Sequence, residues 1–373
     1  MKTVWLFFFV ILSNNLYSQE TYENNMYFGT LATLYVYHTP SAKAEAMGRG
    51  QVANNSGDYG AYYNPALTSL SSGVKFNYSY TEVGRAKPSL HYYEASYSNK
   101  KFGSIGLSAY HYSKDQQNIY AFKDKYSGGY YDAIYNLNYS REVLKGFYAG
   151  INMGVFHYSN YIYNVTGFPE SAIDDGVTID LGLLKKFEIH SSAQKQIIQL
   201  GTALYNITNS KTSRTSRSYN IIFVNSLPVI FRIGASHQIK FVDKSALNES
   251  DLFSLFTHAE YEKIINSSFD AVFKIGEEVI IKNILYLRAG YYYSEAGNNS
   301  YGGGYHSEFT AGAGLNIPVS KIFNFKNPLN IKIDVSSIGL PKEPKHYYSN
   351  LASGDFSTNN NNLTLGLTLN YIP

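Results

Sequence analysis

Residues 363–373, LTLGLTLNYIP, alternate between apolar and small or polar side chains almost without fault. Leucine or tyrosine stands at every odd position from Leu363 to Tyr371, and threonine, glycine or asparagine stands between them. Because successive side chains of a strand point to opposite faces, the segment has one apolar and one polar face. Its length is close to the 9–11 residues of a membrane-crossing strand. The pattern predicts a strand whose Leu/Tyr face contacts lipid and whose Thr/Asn face lines a lumen.

The same alternation recurs along the chain and predicts an all-β fold, a transmembrane antiparallel β-barrel of about 14 strands. An even strand number is typical of bacterial outer-membrane barrels. The terminal strand is expected to close the barrel by pairing with the strand near residues 74–80. The predicted strands are residues 74–80, 93–97, 105–109, 133–139, 147–155, 177–183, 198–204, 231–236, 252–263, 269–275, 285–291, 309–315, 329–335 and 363–373.

The predicted connections between these strands alternate in length. The second, fourth and later even connections are short, residues 99–101, 141–145, 188–196, 243–250, 278–283 and 318–328. Most odd connections are longer, residues 114–130, 159–176, 207–228, 294–307 and 338–361, although those near residues 85–87 and 264–268 are short. Outer-membrane barrels have short periplasmic turns and long outer loops. The bias therefore indicates a barrel with its long loops on the cell exterior.

The N-terminus predicts export from the cytosol. Lys2 precedes an apolar run from Trp5 to Leu12, and the residues before Gln19 suit signal-peptide cleavage. The run is too short for a membrane-spanning helix of about 20 residues. We expect residues 1–18 to be a signal peptide, residues 19–72 an N-terminal segment with short helical turns, and residues 73–373 the barrel.

Composition agrees with a membrane barrel and excludes several other classes of protein. The chain has 37 Tyr, and its 16% of charged residues lies below the roughly 25% of soluble domains. Tyrosine suits the interfaces of a bilayer because its body is apolar and its tip polar. Cysteine is absent, which excludes disulfides and thiolate metal sites. A net charge of +3 with scattered basic residues gives no reason to expect a nucleic-acid partner.

Several predicted strands carry charges on their inward face. Asp180, Arg232, Arg288 and Asp334 form a candidate polar network of the lumen, and Lys332 belongs to the same set. A lipid-facing Arg near the bilayer midplane costs about 2–4 kcal/mol, so these positions are expected to face inward. The structural interpretation, ion pairs that fill the interior, is favoured over a role in substrate binding.

The sequence predicts no enzyme, no cofactor and no metal site. His258, Glu260 and Glu262 alternate on one strand, which fits a polar lumen face better than a ligand set. The nucleophile motif Gly-x-Ser-x-Gly does not occur in the chain.

Two runs before the first strand resemble a known family. Ala46-Met47-Gly48-Arg49-Gly50 is followed by Asp58 and then by Ala61-Tyr62-Tyr63-Asn64-Pro65-Ala66-Leu67. These runs are similar to the N-terminal motif of the PorV/PorQ family of FadL-like outer-membrane proteins of Bacteroidetes. The motif positions are Met47, Gly48, Asp58, Tyr63, Asn64, Pro65 and Ala66. The chain departs from the family pattern at Arg49, where a glycine is usual, and at Tyr63, where a tryptophan is usual.

The resemblance implies a barrel with its N-terminal segment in or near the lumen, and it implies two alternative functions. The first is an interaction protein of the type IX secretion system that binds the translocon, the attachment complex or cargo in protein transport. The alternative is a FadL-like channel for hydrophobic small molecules, with a hydrophobic ligand or detergent in the lumen and a lateral opening in the wall. Phe156, Tyr158, Tyr148 and Tyr292 are candidate lining residues for such a lumen. A scaffold barrel without a ligand is a third interpretation.

Overall fold

A computed structural model describes residues 39–82, 89–114, 119–121, 124–126, 130–163, 169–191, 194–216, 221–243, 250–266, 271–295, 305–339 and 361–372. The predicted signal peptide and residues 19–38 lie outside the described residues. In the described part of the chain, no helix is long and apolar enough to cross a membrane.

Fourteen strands form a closed antiparallel barrel, as the alternation predicted. Each of these strands pairs with two neighbours, so the sheet has no free edge. The barrel strands are β1 (Gly73–Glu82), β2 (Ser89–Asn99), β3 (Gly103–Lys114), β6 (Tyr130–Leu144), β7 (Phe147–Tyr163), β8 (Pro169–His190), β9 (Gln194–Tyr205), β12 (Ile230–Asp243), β13 (Ser250–Ile264), β14 (Val272–Ile281), β15 (Leu285–Glu295), β16 (Tyr305–Ile317), β17 (Leu329–Gly339) and β18 (Asn361–Tyr371).

The closing pair is the one predicted from the terminal strand. β18 pairs with β1 from Val74 opposite Tyr371 to Thr81 opposite Thr364. Thr364 and Thr368 are buried on the lumen side, whereas Leu363 and Leu365 are exposed on the outer face. The predicted division of the strand into an outer leucine face and an inner threonine face is confirmed.

Most of the outer surface of the barrel is apolar. Exposed outward side chains include Leu107 on β3, Val155 on β7, Ile233 on β12 and Leu365 on β18. Only a closed barrel or a helix satisfies every backbone hydrogen bond in lipid, and this barrel offers lipid the face that lipid requires. The protein is a β-barrel of the outer membrane.

The two ends of the barrel differ as the connection lengths predicted. At the short-turn end, β2 joins β3 through residues 100–102 and β6 joins β7 through residues 145–146. At the long-loop end, two connections carry hairpins that the sequence did not predict. These are β4 (Ile119–Ala121) with β5 (Asp124–Tyr126), and β10 (Lys211–Ser216) with β11 (Ile221–Ser226).

Several predicted connections are wrong at least in part because strands occupy them: residues 141–144 belong to β6, 188–190 to β8 and 194–196 to β9. Residues 159–176 belong largely to β7 and β8, which stay paired from Phe147 to Tyr163 and so rise beyond their neighbours. Residues 278–281 belong to β14 rather than to a turn. Two consecutive glutamates resemble a turn in sequence, but the lumen supplies cationic partners for Glu278.

The segment before β1 lies inside the barrel. It contains the helices α1 (Ala42–Ala46) and α2 (Gly60–Tyr63) and a 3₁₀ helix (Pro65–Leu70). α1 packs against β15 to β18, while the 3₁₀ helix packs against β6, β7 and β8 on another side of the wall. We call residues 39–72 the plug. A further helix, α3 (Val319–Phe323), lies between β16 and β17 at the short-turn end.

Candidate functional site in the lumen

The plug lies directly on the wall at positions where the strands carry glycine. At Gly290 of β15, a Cβ would lie 2.1 Å from the backbone nitrogen of Gly48. Gly48 itself has φ +68° and its N–H donates to Thr310 Oγ1 at 2.9 Å. Met47 beside it is fully buried. The Met47-Gly48 part of the N-terminal motif therefore has a packing role, because the backbone needs a left-handed residue and a wall without side chains.

The Asn64-Pro65-Ala66 part of the motif fixes the plug on the other side of the lumen. Asn64 Oδ1 accepts the N–H of Ala66 and caps the 3₁₀ helix, with Pro65 at its first position. Asn64 Nδ2 donates to the carbonyl oxygens of Val52 at 2.9 Å and Leu183 at 3.0 Å. A Cβ on Gly182 would lie 2.0 Å from Asn64 Oδ1, so glycine is required there as well. Tyr63 and Ala66 are buried in this packing.

Asp58, the remaining motif residue, is the point where the plug is held by charge. Its carboxylate lies 2.8 Å from Lys75 Nζ of β1 and 3.4 Å from Lys332 Nζ of β17. Burial alone would raise the pKa of Asp58, but the attraction of Lys75 and Lys332 outweighs burial and holds that pKa well below its usual range. The side chain is therefore ionised at neutral pH and joins two strands that are not sequence neighbours.

The contacts of Asp58 continue into a chain of buried ion pairs near the short-turn end. Lys332 also approaches Asp334, which accepts from Arg288 Nη1 at 2.7 Å. Arg288 Nε donates to Glu278 at 2.6 Å, and Glu278 lies 3.2 Å from Lys43 Nζ of α1. We call these residues the floor cluster, Lys43, Asp58, Lys75, Glu278, Arg288, Lys332 and Asp334. It begins and ends on the plug and passes through four strands of the wall.

The four residues predicted as one lumen network are all inward, but the structure divides them. Arg288 and Asp334 pair directly in the floor cluster. Asp180 instead accepts from Asn152 Nδ2 at 2.9 Å and from the N–H of Asn206 at 2.8 Å. Arg232 pairs with Glu262, which also accepts from Lys274 Nζ at 2.7 Å. Strand alternation predicts the face of each residue, whereas its partner depends on which strands are neighbours.

On the long-loop side of the plug, tyrosine rings surround a small cavity that we call the tyrosine chamber. Tyr62 of the plug packs edge-on against Tyr110 at 5.5 Å and Tyr92 at 6.1 Å between ring centroids. The guanidinium of Arg232 lies 4.6 Å from the ring centre of Tyr205 and 5.5 Å from that of Tyr62. The remaining lining residues are Ala61, Ile134, Asn136 and Asp180.

The chamber has little free space and its charges are compensated. About 20 Å³ is open, which is room for one water molecule. Burial raises the pKa of Tyr62 to about 12, so its hydroxyl stays protonated. Glu262 neutralises Arg232, and Asp180 receives two hydrogen bonds. The chamber therefore presents aromatic faces, a guanidinium paired with Glu262 and a hydrogen-bonded carboxylate.

Beside the chamber, the ladder of the wall is interrupted. β8 begins at Pro169 but pairs with β9 only from Leu181 onward, because β9 ends at Tyr205. Asn206 then adopts a left-handed conformation with φ 50° and the chain leaves the sheet. Residues 206–210, which we call the seam, cover the gap. They use the Ile207 N–H to the Ile179 carbonyl at 2.9 Å and the hydroxyls of Thr208 and Ser210 to the Val177 carbonyl.

The candidate apolar lining residues fall in different places. Phe156 is buried in the aromatic cluster near the chamber, and Tyr292 lies under Arg49 at 5.3 Å from its ring centre. Tyr148 is at the short-turn end, away from the chamber. The side chain of Tyr158 lies outside the described residues. The lumen is thus polar on the short-turn side of the plug and aromatic on its long-loop side.

Sequence reasoning missed several residues of the lumen. Lys43 and Tyr62 lie in the plug, where no alternation indicates a face. Lys75 stands on an inward position of a predicted strand, so the alternation that identified Arg232 also signals it. Glu262 was predicted on a polar lumen face, but its pairing with Arg232 was not. Among the described residues, no three histidine or acidic side chains lie close enough together to hold a metal ion.

Comparison with solved structures returns barrels of the same general kind. The toluene transporter TodX of Pseudomonas putida matches with TM-score 0.44 and 10% identity, over 90% of this chain and 100% of that chain. A Pseudomonas aeruginosa FadL homologue matches with TM-score 0.46 and 10% identity, over 90% and 99%. The CymD monoaromatic hydrocarbon channel matches with TM-score 0.44 and 10% identity, over 91% and 98%.

No family model and no curated protein matches the chain. The fold assignment rests on the closed barrel itself. Structural similarity at these TM-scores gives no information about a ligand.

Proposed function

We propose that this barrel binds a small, neutral, hydrophobic compound in the tyrosine chamber and releases it sideways through the seam. The observation that supports this function is the position of the seam. The break in the ladder adjoins Asp180 and Tyr205, two lining residues of the chamber. An aromatic cavity next to a weak point in the wall provides both a binding site and an exit into lipid.

The chemistry of the chamber favours a neutral ligand over a fatty-acid carboxylate. A carboxylate needs a cation that is not already paired, and Arg232 is committed to Glu262 and to two tyrosine rings. Flat aromatic compounds suit the edges and faces that Tyr62, Tyr92 and Tyr110 present.

Binding requires the chamber to open, because its present space holds one water molecule. The seam is the part of the wall that can move at least cost. It rests on a few hydrogen bonds, two of them from side-chain hydroxyls, whereas β7 and β8 share an uninterrupted ladder. A lateral route also fits the plug, which blocks the axial route with buried ion pairs.

The test uses the absence of cysteine from the chain. Ile179→Cys with Ile207→Cys places two thiols across the seam, where the backbones are hydrogen-bonded. The probe is radiolabelled toluene, and the host is a Gram-negative strain without its own hydrocarbon channels. We expect the unmodified barrel to raise the initial uptake rate, the oxidised pair to abolish the increase, and a reductant to restore it.

A matched pair of cysteines controls for cross-linking itself. Leu137→Cys and Met153→Cys stand opposite each other on the uninterrupted β6–β7 ladder, and both side chains are exposed outward. Their disulfide should leave uptake unchanged. The proposal fails if the unmodified barrel does not raise toluene uptake, and the seam is the wrong route if both disulfides act alike.

The type IX secretion role implied by the N-terminal motif remains a separate hypothesis. The motif residues have structural explanations in the packing of the plug, through Gly290, Gly182 and Lys75. Its test is a deletion strain in which secretion of surface-attached cargo is measured. Intact secretion would contradict that role and leave the proposal on the tyrosine chamber untouched.

A further inference from the structure

A carboxylate stands on the lipid-facing surface of β14. Lys274 and Glu278 point into the lumen and are buried, so the odd residues between and beside them point outward. Phe273, Ile275 and Glu277 are all exposed on that outer face. Glu277 lies between Ile275 and Val279 along the strand, and therefore within the apolar band rather than at its edge.

A charged side chain in contact with lipid is unfavourable, and such residues usually face a partner. The lumen network shows what this barrel does with carboxylates that it needs internally, since Glu278 one residue later has two cationic partners. Glu277 faces the other way. Its position makes sense if something other than lipid covers this part of the wall.

The cross-strand neighbours of Glu277 on the outer face are polar or small. In the strand registers, Glu277 stands opposite Thr257 on β13 and opposite Ala289 on β15. Thr257 in turn stands opposite His237 on β12, whose Nε2 lies 3.2 Å from the Gln196 Oε1. The row therefore contains an imidazole, a hydroxyl, a carboxylate and an alanine where other parts of the wall carry leucine or valine.

A concavity adjoins this row on its long-loop side. Ala259 lines it between larger side chains, and Ala235 stands opposite Ala259 on β12. The concavity has a volume of about 440 Å³, and its apolar walls are Ile233, Tyr261, Phe273, Ile275, Tyr291 and Tyr293. Small residues allow close approach of a second protein surface inside a membrane, and the aromatic rim supplies contact area.

We propose that a second copy of this chain packs against this surface, the β12–β15 face, and forms a dimer in the membrane. The face is self-complementary. His237 and Glu277 lie on either side of Thr257, one on β12 and the other on β14. A two-fold axis along the membrane normal at Thr257 brings β12 of one copy opposite β14 of the other. Each carboxylate then faces the strand that carries the imidazole of His237.

The experiment again exploits the cysteine-free chain. Thr257→Cys lies at the proposed axis, so two copies should form a disulfide when native outer membranes are treated with a mild oxidant. Leu107→Cys is the matched control, because Leu107 is 64% exposed on the outer face of β3, six strands from β13 around the barrel. We expect a dimer band for Thr257→Cys on a non-reducing gel and a monomer band for Leu107→Cys.

Three outcomes of the experiment with Thr257→Cys and Leu107→Cys would overturn the proposal. They are a monomer for Thr257→Cys, equal cross-linking of both variants, or a cross-link from Thr257→Cys to a chain of another mass, which would identify a different partner. Adding Glu277→Leu to Thr257→Cys should abolish the dimer band, whereas Glu277→Gln should retain part of it because an amide still bonds an imidazole. A dimer that survives Glu277→Leu would also contradict the proposal. Heat-modifiable migration on gels verifies that each variant is folded.

Discussion

The two sides of the plug are built from different interactions. On the short-turn side, the floor cluster joins the plug to four strands through buried charges, with Asp58 and Lys43 at its two ends. On the long-loop side, the tyrosine chamber holds the plug through the ring of Tyr62 against Tyr92 and Tyr110. Charge fixes one side in place, while rings packed edge to face can slide or rotate at lower cost.

This difference indicates which contacts of the plug can be exchanged for contacts with a ligand. A buried ion pair cannot be opened without leaving a charge unpaired, which is strongly unfavourable. Aromatic contacts contribute about 0.5–1.5 kcal/mol each beyond the area they bury, so single contacts can be exchanged for a ligand. The floor cluster is therefore the seal of the barrel, and the tyrosine chamber is its adaptable side.

The largest expected effect comes from removing the centre of the seal. Asp58→Ala leaves Lys75 and Lys332 without their shared carboxylate and should lower the free energy of unfolding by about 3–5 kcal/mol. Urea unfolding in detergent micelles measures this change in the free energy of unfolding. Asp175→Ala is the control. It removes the exposed partner of His157 and should lower the free energy of unfolding by about 0–1 kcal/mol. Equal losses for the two variants would mean that the floor cluster is not a special anchor.

The next effect concerns the seat of the plug on the wall. Gly182→Ala places a methyl group 2.0 Å from Asn64 Oδ1 and should displace the motif residues. The free energy of unfolding should fall by about 1–3 kcal/mol. We expect the displaced plug to raise ion conductance in planar bilayers. Gly366→Ala is the milder control, because its methyl group would lie 3.0 Å from the Tyr59 hydroxyl and at ordinary contact distance, 3.5 Å or more, from the other nearest atoms. Unchanged conductance in both variants would show that the glycine positions do not control the seal.

A smaller effect is expected in the chamber. Arg232→Lys keeps a cation near Glu262 but loses the planar group that lies over Tyr205 and Tyr62. The free energy of unfolding should fall by about 1 kcal/mol, within the range of one cation–π contact. A loss as large as that of Asp58→Ala would remove the contrast between the two sides.

The smallest effect is a dependence on pH. Because the pKa of Asp58 is held below its usual range in the folded protein, its contribution is complete above the unfolded pKa of about 4. The contribution falls as pH drops below that value, since the unfolded state then binds the proton. The stability difference between the unmodified chain and Asp58→Asn should therefore be constant from pH 8 to 5 and shrink below pH 4. A difference that already shrinks between pH 8 and 6 would contradict this sign.

The sequence alone was sufficient for the barrel and for the face of most strand residues. Leu363 and Thr364 illustrate why, because neighbouring residues of one strand encode the two faces without reference to any other strand. Glu278 shows where this reasoning ends. The apolar pattern on the outer face of its strand is interrupted by a second glutamate, Glu277, which faces outward. Only the pairing with Lys43 and Arg288 explains why Glu278 is buried.

The N-terminal motif divides in the same way. Asn64 and Pro65 predict a short helical turn from local chemistry, and a 3₁₀ helix begins at Pro65. Asp58 has no local signal for its partners, since Lys75 and Lys332 are 17 and 274 residues away in sequence. The sequence does not indicate the seam either. The alternation along β9 predicts a strand there, but it does not show that the neighbouring strand β8 extends beyond the end of β9.

By itself, the sequence of this protein determined a closed barrel, its insertion in a membrane and the inward or outward direction of most strand residues. Period-two alternation is a local property, and lipid accepts only one of the two faces. The tertiary structure decided the seal, the tyrosine chamber and the neighbours of Glu277. These depend on which strands are adjacent, on the register between them and on the path of the plug through the lumen, all of which are set by contacts between residues far apart in the chain.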